Sequence, residues 1–256
     1  MGDPDTSVAR ELADRVVIVT GGTGLLGRAF VKALLDAGAR VALAYHRSRD
    51  QARTFAESLG ANGNLRCYQV DVRDSSSVNE MIGDVLTVWN TIHGLINNAG
   101  VVRDQLLLAL DESAWRDVID TDLSGPYLVS RPVISHMVRN HQGVILNIGS
   151  VSGLRGIRGQ TNYCAAKAGL IGFTRALAAE VAPHGVRVNL LVPGALAGGM
   201  TDGLSPSRLQ AIKATIPLRR LGQPQEVVNV AMFLLSPAAS YVTGQVICVD
   251  GGMSSV

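Results

Sequence analysis

Arg15-Val16-Val17-Ile18-Val19-Thr20 runs directly into Gly21-Gly22-Thr23-Gly24-Leu25-Leu26-Gly27, and a helical spacing of apolar residues begins at once, over 25–37. A β-branched run, a glycine-rich turn and an amphipathic helix form the opening of a β–α–β unit. Glycines there let the backbone turn tightly and approach a pyrophosphate, whose charge the amides at a helix N-terminus stabilise. A glycine-rich turn alone also fits an ordinary strand–helix corner. Its position, after the first strand and before the first helix, favours the binding reading and makes Gly21, Thr23, Gly24, Leu25, Leu26 and Gly27 candidate cofactor contacts.

The same alternation continues outward from this unit. Strand-length apolar runs cover 15–20, 40–45, 65–70, 94–97, 144–148, 186–192 and 245–249. Helical spacing covers 25–37, 51–59, 75–88, 112–139, 163–182 and 225–235. Val/Ile/Leu strands separated by helices predict a parallel sheet covered on both faces. The expectation is an α/β Rossmann fold: one doubly wound, seven-stranded domain over 15–256 behind a polar tail at 1–14. The weakly patterned stretch 194–217, rich in Gly, Ser and Thr, reads as a substrate lid.

Composition narrows the function classes. Of 256 residues, 47% are hydrophobic and 17% charged, which excludes an intrinsically disordered chain. Net charge is +2, and no basic run exceeds Arg219-Arg220, so no nucleic-acid partner is expected. No run of 18 apolar residues predicts a membrane span. The acidic, polar N-terminus lacks the pattern of a signal peptide. Cys67, Cys164 and Cys248 are scattered and odd in number, which suits a reducing, cytoplasmic setting. His46, His93 and His136 lack metal-ligand spacing, and no metal site is expected. Cys164 reads as a small core residue.

A dinucleotide fold that takes NAD carries an acidic residue about twenty positions past the glycine loop, to hold the ribose 2′-hydroxyl. Here the second strand ends in Tyr45-His46-Arg47-Ser48-Arg49. Arg47 can pair with a 2′-phosphate and Ser48 can donate to it, which points to NADPH over a merely solvated basic turn. Ser150 precedes Tyr163 by thirteen residues, and Lys167 follows Tyr163 at i+4 on one helix face. A phenol can pass a proton to a carbonyl oxygen, although its free pKa near 10 is high for work at neutrality. A neighbouring ammonium lowers that value, and a serine hydroxyl can hold the substrate oxygen as it gains charge.

With these segments, and with Asp71-Val72, Asn97-Asn98-Ala99-Gly100, Asn147-Ile148-Gly149-Ser150, Pro193-Gly194 and Val249-Asp250-Gly251-Gly252, the chain resembles the short-chain dehydrogenase/reductase family from about Asp14 to Met253. Gly100–Leu107, Gly159–Arg175, Arg220-Leu221-Gly222 and Tyr241–Gln245 make it look most like the 3-oxoacyl-[acyl-carrier-protein] reductases. The resemblance implies Ser150, Tyr163 and Lys167 as the catalytic set. It puts Asp71 and Val72 beside the adenine, and Asn98, Ala99 and Gly100 along the cofactor. Lys167 would hold the nicotinamide ribose, with Pro193, Gly194 and Leu196 near the nicotinamide. It further implies an NADPH-dependent ketoreductase of fatty-acid or polyketide-like synthesis, acting on a 3-oxoacyl thioester borne by an acyl carrier protein or CoA. A homotetramer is implied as well. A reductase of a small free ketone, or a dehydrogenase of a secondary alcohol, is the alternative, and a weakly active cofactor-binding partner subunit is another.

Four positions depart from the family pattern. Leu25 stands at a usual glycine. Asp122 falls where the catalytic tetrad has asparagine, and is taken here as the fourth catalytic position. Gly198 replaces the threonine that meets the nicotinamide carboxamide. His141 and His184 replace two basic positions that relatives use to dock an acyl carrier protein, a task in which Arg155 and Arg158 could substitute.

Overall fold

Seven parallel strands form one sheet in a computed structural model that describes residues 11–47, 49–60 and 63–255. They are β1 (Val16–Val19), β2 (Arg40–Tyr45), β3 (Leu65–Gln69), β4 (Gly94–Asn97), β5 (Gly143–Ile148), β6 (Val186–Pro193) and β7 (Val246–Val249), in the order β3-β2-β1-β4-β5-β6-β7. β1 pairs with both β2 and β4, with Val17 opposite Val41 on one side and Gly94 on the other. The chain therefore reverses its direction of travel between β1 and β4, and the connections diverge there to leave a crevice at the strands' C-terminal ends.

Successive side chains of a strand point to opposite faces, and both faces of the central strands are buried. Val17, Val19, Leu43 and Leu146 pack on the side of helices α1 (Leu25–Asp36) and α2 (Arg49–Leu59), joined from the far end of the chain by Val228 and Leu234. Ile18, Ala42, Leu95 and Ile145 face the other way, onto Val78, Ile82 and Val85 of α3 (Ser75–Trp89) and onto Val129, Val133 and Leu177. This is the doubly wound arrangement read from the alternation of elements.

Four features differ from the sequence reading. The stretch 112–139 is not one helix: α4 (Glu112–Ile119) passes through a π-turn at Asp120–Ser124 into α5 (Gly125–Arg139). Pro126 has no N–H to return to the carbonyl of residue 122, and Gly125 instead donates to the Asp120 carbonyl. The stretch 194–217 contains a helix, α7 (Pro206–Ala214), capped by Ser205. β3 and β7 are edge strands, so Cys67 and Cys248 are exposed. Within the tail, residues 1–10 lie outside the described set, but Leu12 is buried against the core. The remaining helices are α6 (Thr161–Val181) and α8 (Pro224–Leu235). Among the described residues no helix is long and apolar enough to cross a membrane.

Candidate active site

A cleft of about 1340 Å³ follows the C-terminal ends of the strands, from the glycine loop to Ser150 and on to α7. Gly21 turns the chain at φ 64°, a left-handed conformation that glycine adopts without strain. Gly24 caps α1 without a side-chain hydrogen bond, so the free amides of the first turn remain available to an anion. Asn98 secures the loop from β4. Its Nδ2 donates to the Thr20 and Gly21 carbonyls at 3.0 and 3.1 Å, while Thr20 Oγ1 accepts from the Asn98 and Ala99 amides at 3.0 Å each. The free amides and glycines of this cradle suit the pyrophosphate of a dinucleotide. Gly21, Thr23, Gly24, Leu25 and Leu26 line it. Gly27 does not, because it is a packing glycine whose Cβ would stand 2.2 Å from the Gly21 carbonyl oxygen.

Beyond the loop, Arg47 lines the cleft and is exposed, whereas Ser48 lies outside the described residues. Asp71, Val72, Asn98, Ala99 and Gly100 line the same end. The Asp71 carboxylate accepts from Arg73 Nε at 2.9 Å and Nη2 at 2.7 Å, which draws it down to about 2. Arg73 continues to Asp117 at 2.8 Å, and Asp117 to Arg103 at 2.7 Å. His46 Nε2 stands 3.4 Å from Asp71. Arg73 is two residues from Asp71, a pairing no spacing marks, and His46 meets Asp71 because β2 and β3 run side by side.

At the other end, Ser150 closes β5 while Tyr163 and Lys167 share the cleft-facing side of α6. The Lys167 ammonium lies 5.5 Å from the centre of the Tyr163 ring and donates to the Ile148 carbonyl at 3.0 Å. Burial raises the Tyr163 phenol above its ordinary value; the ammonium and the Ser150 hydroxyl work against this, and Asp122 and Asp104 add to it. The ammonium thus acts in the direction expected from sequence, but burial outweighs it. Lys167 is itself raised: burial works to lower it, and the Asp122 carboxylate wins.

Asp122 does not face the cleft. Its side chain has no exposure to water and lies behind Gly100, with Oδ2 3.1 Å from Lys167 Nζ. Burial raises its carboxyl against the pull of that ammonium. The contact is an ion pair off hydrogen-bond geometry, and Oδ2 has no hydrogen-bond partner among the described residues. Among the described residues, Lys167 is the cleft residue whose charge Asp122 meets.

Pro193 at the end of β6, with Gly194 and Leu196 after it, completes the cleft that Ser150 lines. Ser150 Oγ accepts from the Ser152 amide at 3.2 Å. A side-chain series continues from Ser150 through Ser152 and Gln160 to Asp104, with Gln160 Nε2 donating to Asp104 at 2.9 and 3.1 Å. Gln160 and Asp104 carried no signal in the sequence, since they meet only through the fold. Arg155 and Arg158 line the mouth, and Arg155 also donates to the Met253 carbonyl at 2.7 Å. Cys164 is half-buried rather than a core residue. His141 and His184 come together with ring centres 6.1 Å apart, but they precede β5 and β6, at the edge of the sheet opposite the cleft. His93 and His136 accept hydrogen bonds from the Val16 and Ile92 amides.

The profile of the family described as Enoyl-(Acyl carrier protein) reductase matches residues 24–254. The chain is 39% identical to the 3-oxoacyl-[acyl-carrier-protein] reductase of Salmonella typhimurium, over 94% of this chain and 98% of that protein. It is 39% identical to the enzyme of the same name from Vibrio harveyi, over 96% and 99%. A crystal structure of a provisionally named gluconate dehydrogenase from Agrobacterium tumefaciens superposes with a TM-score of 0.91 at 33% identity, covering 97% of this chain and 99% of that one. This chain belongs to the short-chain dehydrogenase/reductase family, and is an oxidoreductase of the CH–OH/C=O class in a family that works with a nicotinamide cofactor.

Proposed function

We propose that this chain is an NADPH-dependent ketoreductase that converts a 3-oxoacyl thioester, carried on an acyl carrier protein or CoA, to its 3-hydroxyacyl form in fatty-acid or polyketide-like synthesis. The observation that carries the reading is the convergence of Ser150, Tyr163 and Lys167 on one cleft with the glycine loop at its far end. The 39% identity to the 3-oxoacyl reductases supports the substrate class. Arg47, standing where a carboxylate would repel phosphate, supports NADPH.

When bound, the nicotinamide supplies a hydride to the keto carbon. Ser150 donates a hydrogen bond to the keto oxygen as it gains charge. Tyr163 gives that oxygen its proton. The Lys167 ammonium stabilises the phenolate left behind and holds the nicotinamide ribose. Leu196 closes the nicotinamide end. The residues 194–217 cover the substrate, and 15–256 act as one domain. By its likeness to the family, the protein is read as a cytoplasmic homotetramer.

The superposition on a gluconate dehydrogenase favours a second reading, a small free ketone or secondary alcohol. Following NADPH oxidation with an acetoacetyl thioester and with a panel of plain ketones tests both. Preference for the thioester is the expected result, and turnover of plain ketones alone would favour the second reading. Failure on every ketone despite tight NADPH binding would make the chain a cofactor-binding partner subunit.

A further inference from the structure

Asp122 sits between two donors. The Val101 amide gives its hydrogen to Oδ1 at 2.8 Å, and the Lys167 ammonium stands 3.1 Å from Oδ2. A carboxylate offers an oxygen to each; an amide has one oxygen and turns an N–H towards the other donor. The absence of a side chain at position 100 leaves the room, since a Cβ on Gly100 would lie 2.7 Å from Oδ2. The π-turn at Asp120–Ser124 aims this side chain inward, away from water, while Lys167, which reaches the cleft, is exposed by only 6%. The ammonium is thereby anchored to a carboxylate and to the Ile148 carbonyl, and no hydrogen bond joins it to Tyr163 among the described residues.

From this geometry we infer that the Asp122 carboxylate, paired with the Lys167 ammonium, partly cancels that ammonium's field at Tyr163 and so helps the buried phenol keep its proton into alkaline pH. The site is thereby suited to delivering a proton to a carbonyl and denied the phenolate that alcohol oxidation requires near neutrality. The inference rests on the ketoreductase reading for its consequence, though not for the state of Tyr163 itself. Four groups face the phenol: Lys167 from its own helix, Asp122 from the π-turn, Asp104 from the loop after β4, and Ser150 from the end of β5. Burial does most to keep the phenol protonated; the ammonium and the Ser150 hydroxyl oppose it, and the two carboxylates weaken that opposition. A neutral group at 122 leaves the ammonium's field at Tyr163 uncancelled as long as Lys167, still bonded to the Ile148 carbonyl, keeps its proton. Asp122 is thus a positioning residue that sets the pH range of the reaction without touching the substrate.

The test begins with the phenol. Ultraviolet titration of the cofactor-free protein, with the Tyr163→Phe curve subtracted to remove the other four of its five tyrosines, reads Tyr163 alone. In the native protein it should ionise above the ordinary tyrosine range, and in Asp122→Asn about one pH unit or more lower. Asp122→Ser, a smaller neutral side chain, serves if the amide disturbs the Val101 contact. The pH profiles of kcat/KM should respond in concert. The alkaline fall of ketone reduction and the rise of alcohol oxidation should both move to lower pH in the neutral variants. Ionisation of native Tyr163 at or below the ordinary value overturns the inference, as does a titration unchanged by loss of the carboxylate. A native protein that reduces no ketone would defeat the functional reading, leaving the titration to decide the role of Asp122.

Discussion

A Cβ at Gly198 would stand 3.1 Å from Leu25 Cδ1, and one at Gly199 would stand 3.3 Å from Leu25 Cδ2. Two departures from the family pattern thus meet across the cleft: the leucine at a usual glycine occupies space next to the glycine at a usual threonine. Gly198 has φ 94° and ψ 172°, a region open essentially to glycine alone.

Restoring threonine at 198 should therefore do harm. Backbone strain there costs on the order of 1–3 kcal/mol, and crowding against Leu25 adds to it. Gly198→Thr is expected to speed amide exchange over residues 196–204 and to weaken NADPH binding about tenfold. Leu25→Ala in the same protein should recover only the crowding part. Native affinity in the single variant would show that the two positions are independent.

Arg47 should decide the cofactor. A charge-assisted contact to phosphate is worth about 1.5–3 kcal/mol, so kcat/KM with NADPH should exceed that with NADH by at least about tenfold. Arg47→Asp should erase or reverse the preference. Equal efficiency with both cofactors in the native protein would remove the argument for a 2′-phosphate site.

For Tyr163→Phe, turnover should nearly vanish while NADPH affinity stays close to native, because the phenol acts on the substrate oxygen in the transition state. Lys167→Ala should lower both, and should also destabilise the fold by about 3–5 kcal/mol by leaving the Asp122 carboxylate buried without its partner. Thermal unfolding with and without NADPH separates these effects. A Tyr163→Phe protein that keeps substantial activity would place the proton donor elsewhere.

The alternation of strands and helices, and with it the sheet and the cleft at its C-terminal edge, was legible because it depends on local apolar spacing. So was the pairing of Tyr163 with Lys167, since i and i+4 share a helix face whatever the fold, and Ser150 was legible from its place after the strand-length run 144–148. The π-turn at Asp120–Ser124 was hidden because apolar spacing runs through it unbroken, and only Pro126 hints that a hydrogen bond is missing. Helix α7 was missed because it buries none of its residues and so shows no apolar stripe. Arg73 pairs with Asp71 two residues away without a spacing that marks the pair, and Gln160 meets Asp104 only across the fold. The inward placement of Asp122 needed the π-turn, which explains why sequence could point to the position but not to its separation from the cleft.

Glycines of the first turn divide sharply in what they tolerate. A Cβ at Gly24 meets only the Gly21 carbonyl oxygen at 3.4 Å, an ordinary contact, and its φ of −74° suits any residue. A Cβ at Gly27 would lie 2.2 Å from that same oxygen and 2.8 Å from Gly22 Cα, both backbone atoms with no side chain able to yield. Inside an exposed helix, replacing glycine by alanine stabilises by roughly 1 kcal/mol. Gly27 lies inside α1, so propensity alone predicts a more stable protein, and the contact predicts the reverse. The contact should win, because relief requires α1 to move off the loop, separating Phe30, Val31 and Leu34 from the core they fill. Gly27→Ala is therefore expected to lose at least about 2 kcal/mol in denaturant unfolding and to bind NADPH poorly. Gly24→Ala should remain within about 0.5 kcal/mol of native in stability. Measured side by side, unfolding and NADPH titration of the two variants check the loop geometry directly. A Gly27→Ala protein as stable as Gly24→Ala would mean that α1 sits farther from the loop than the 2.2 Å contact requires.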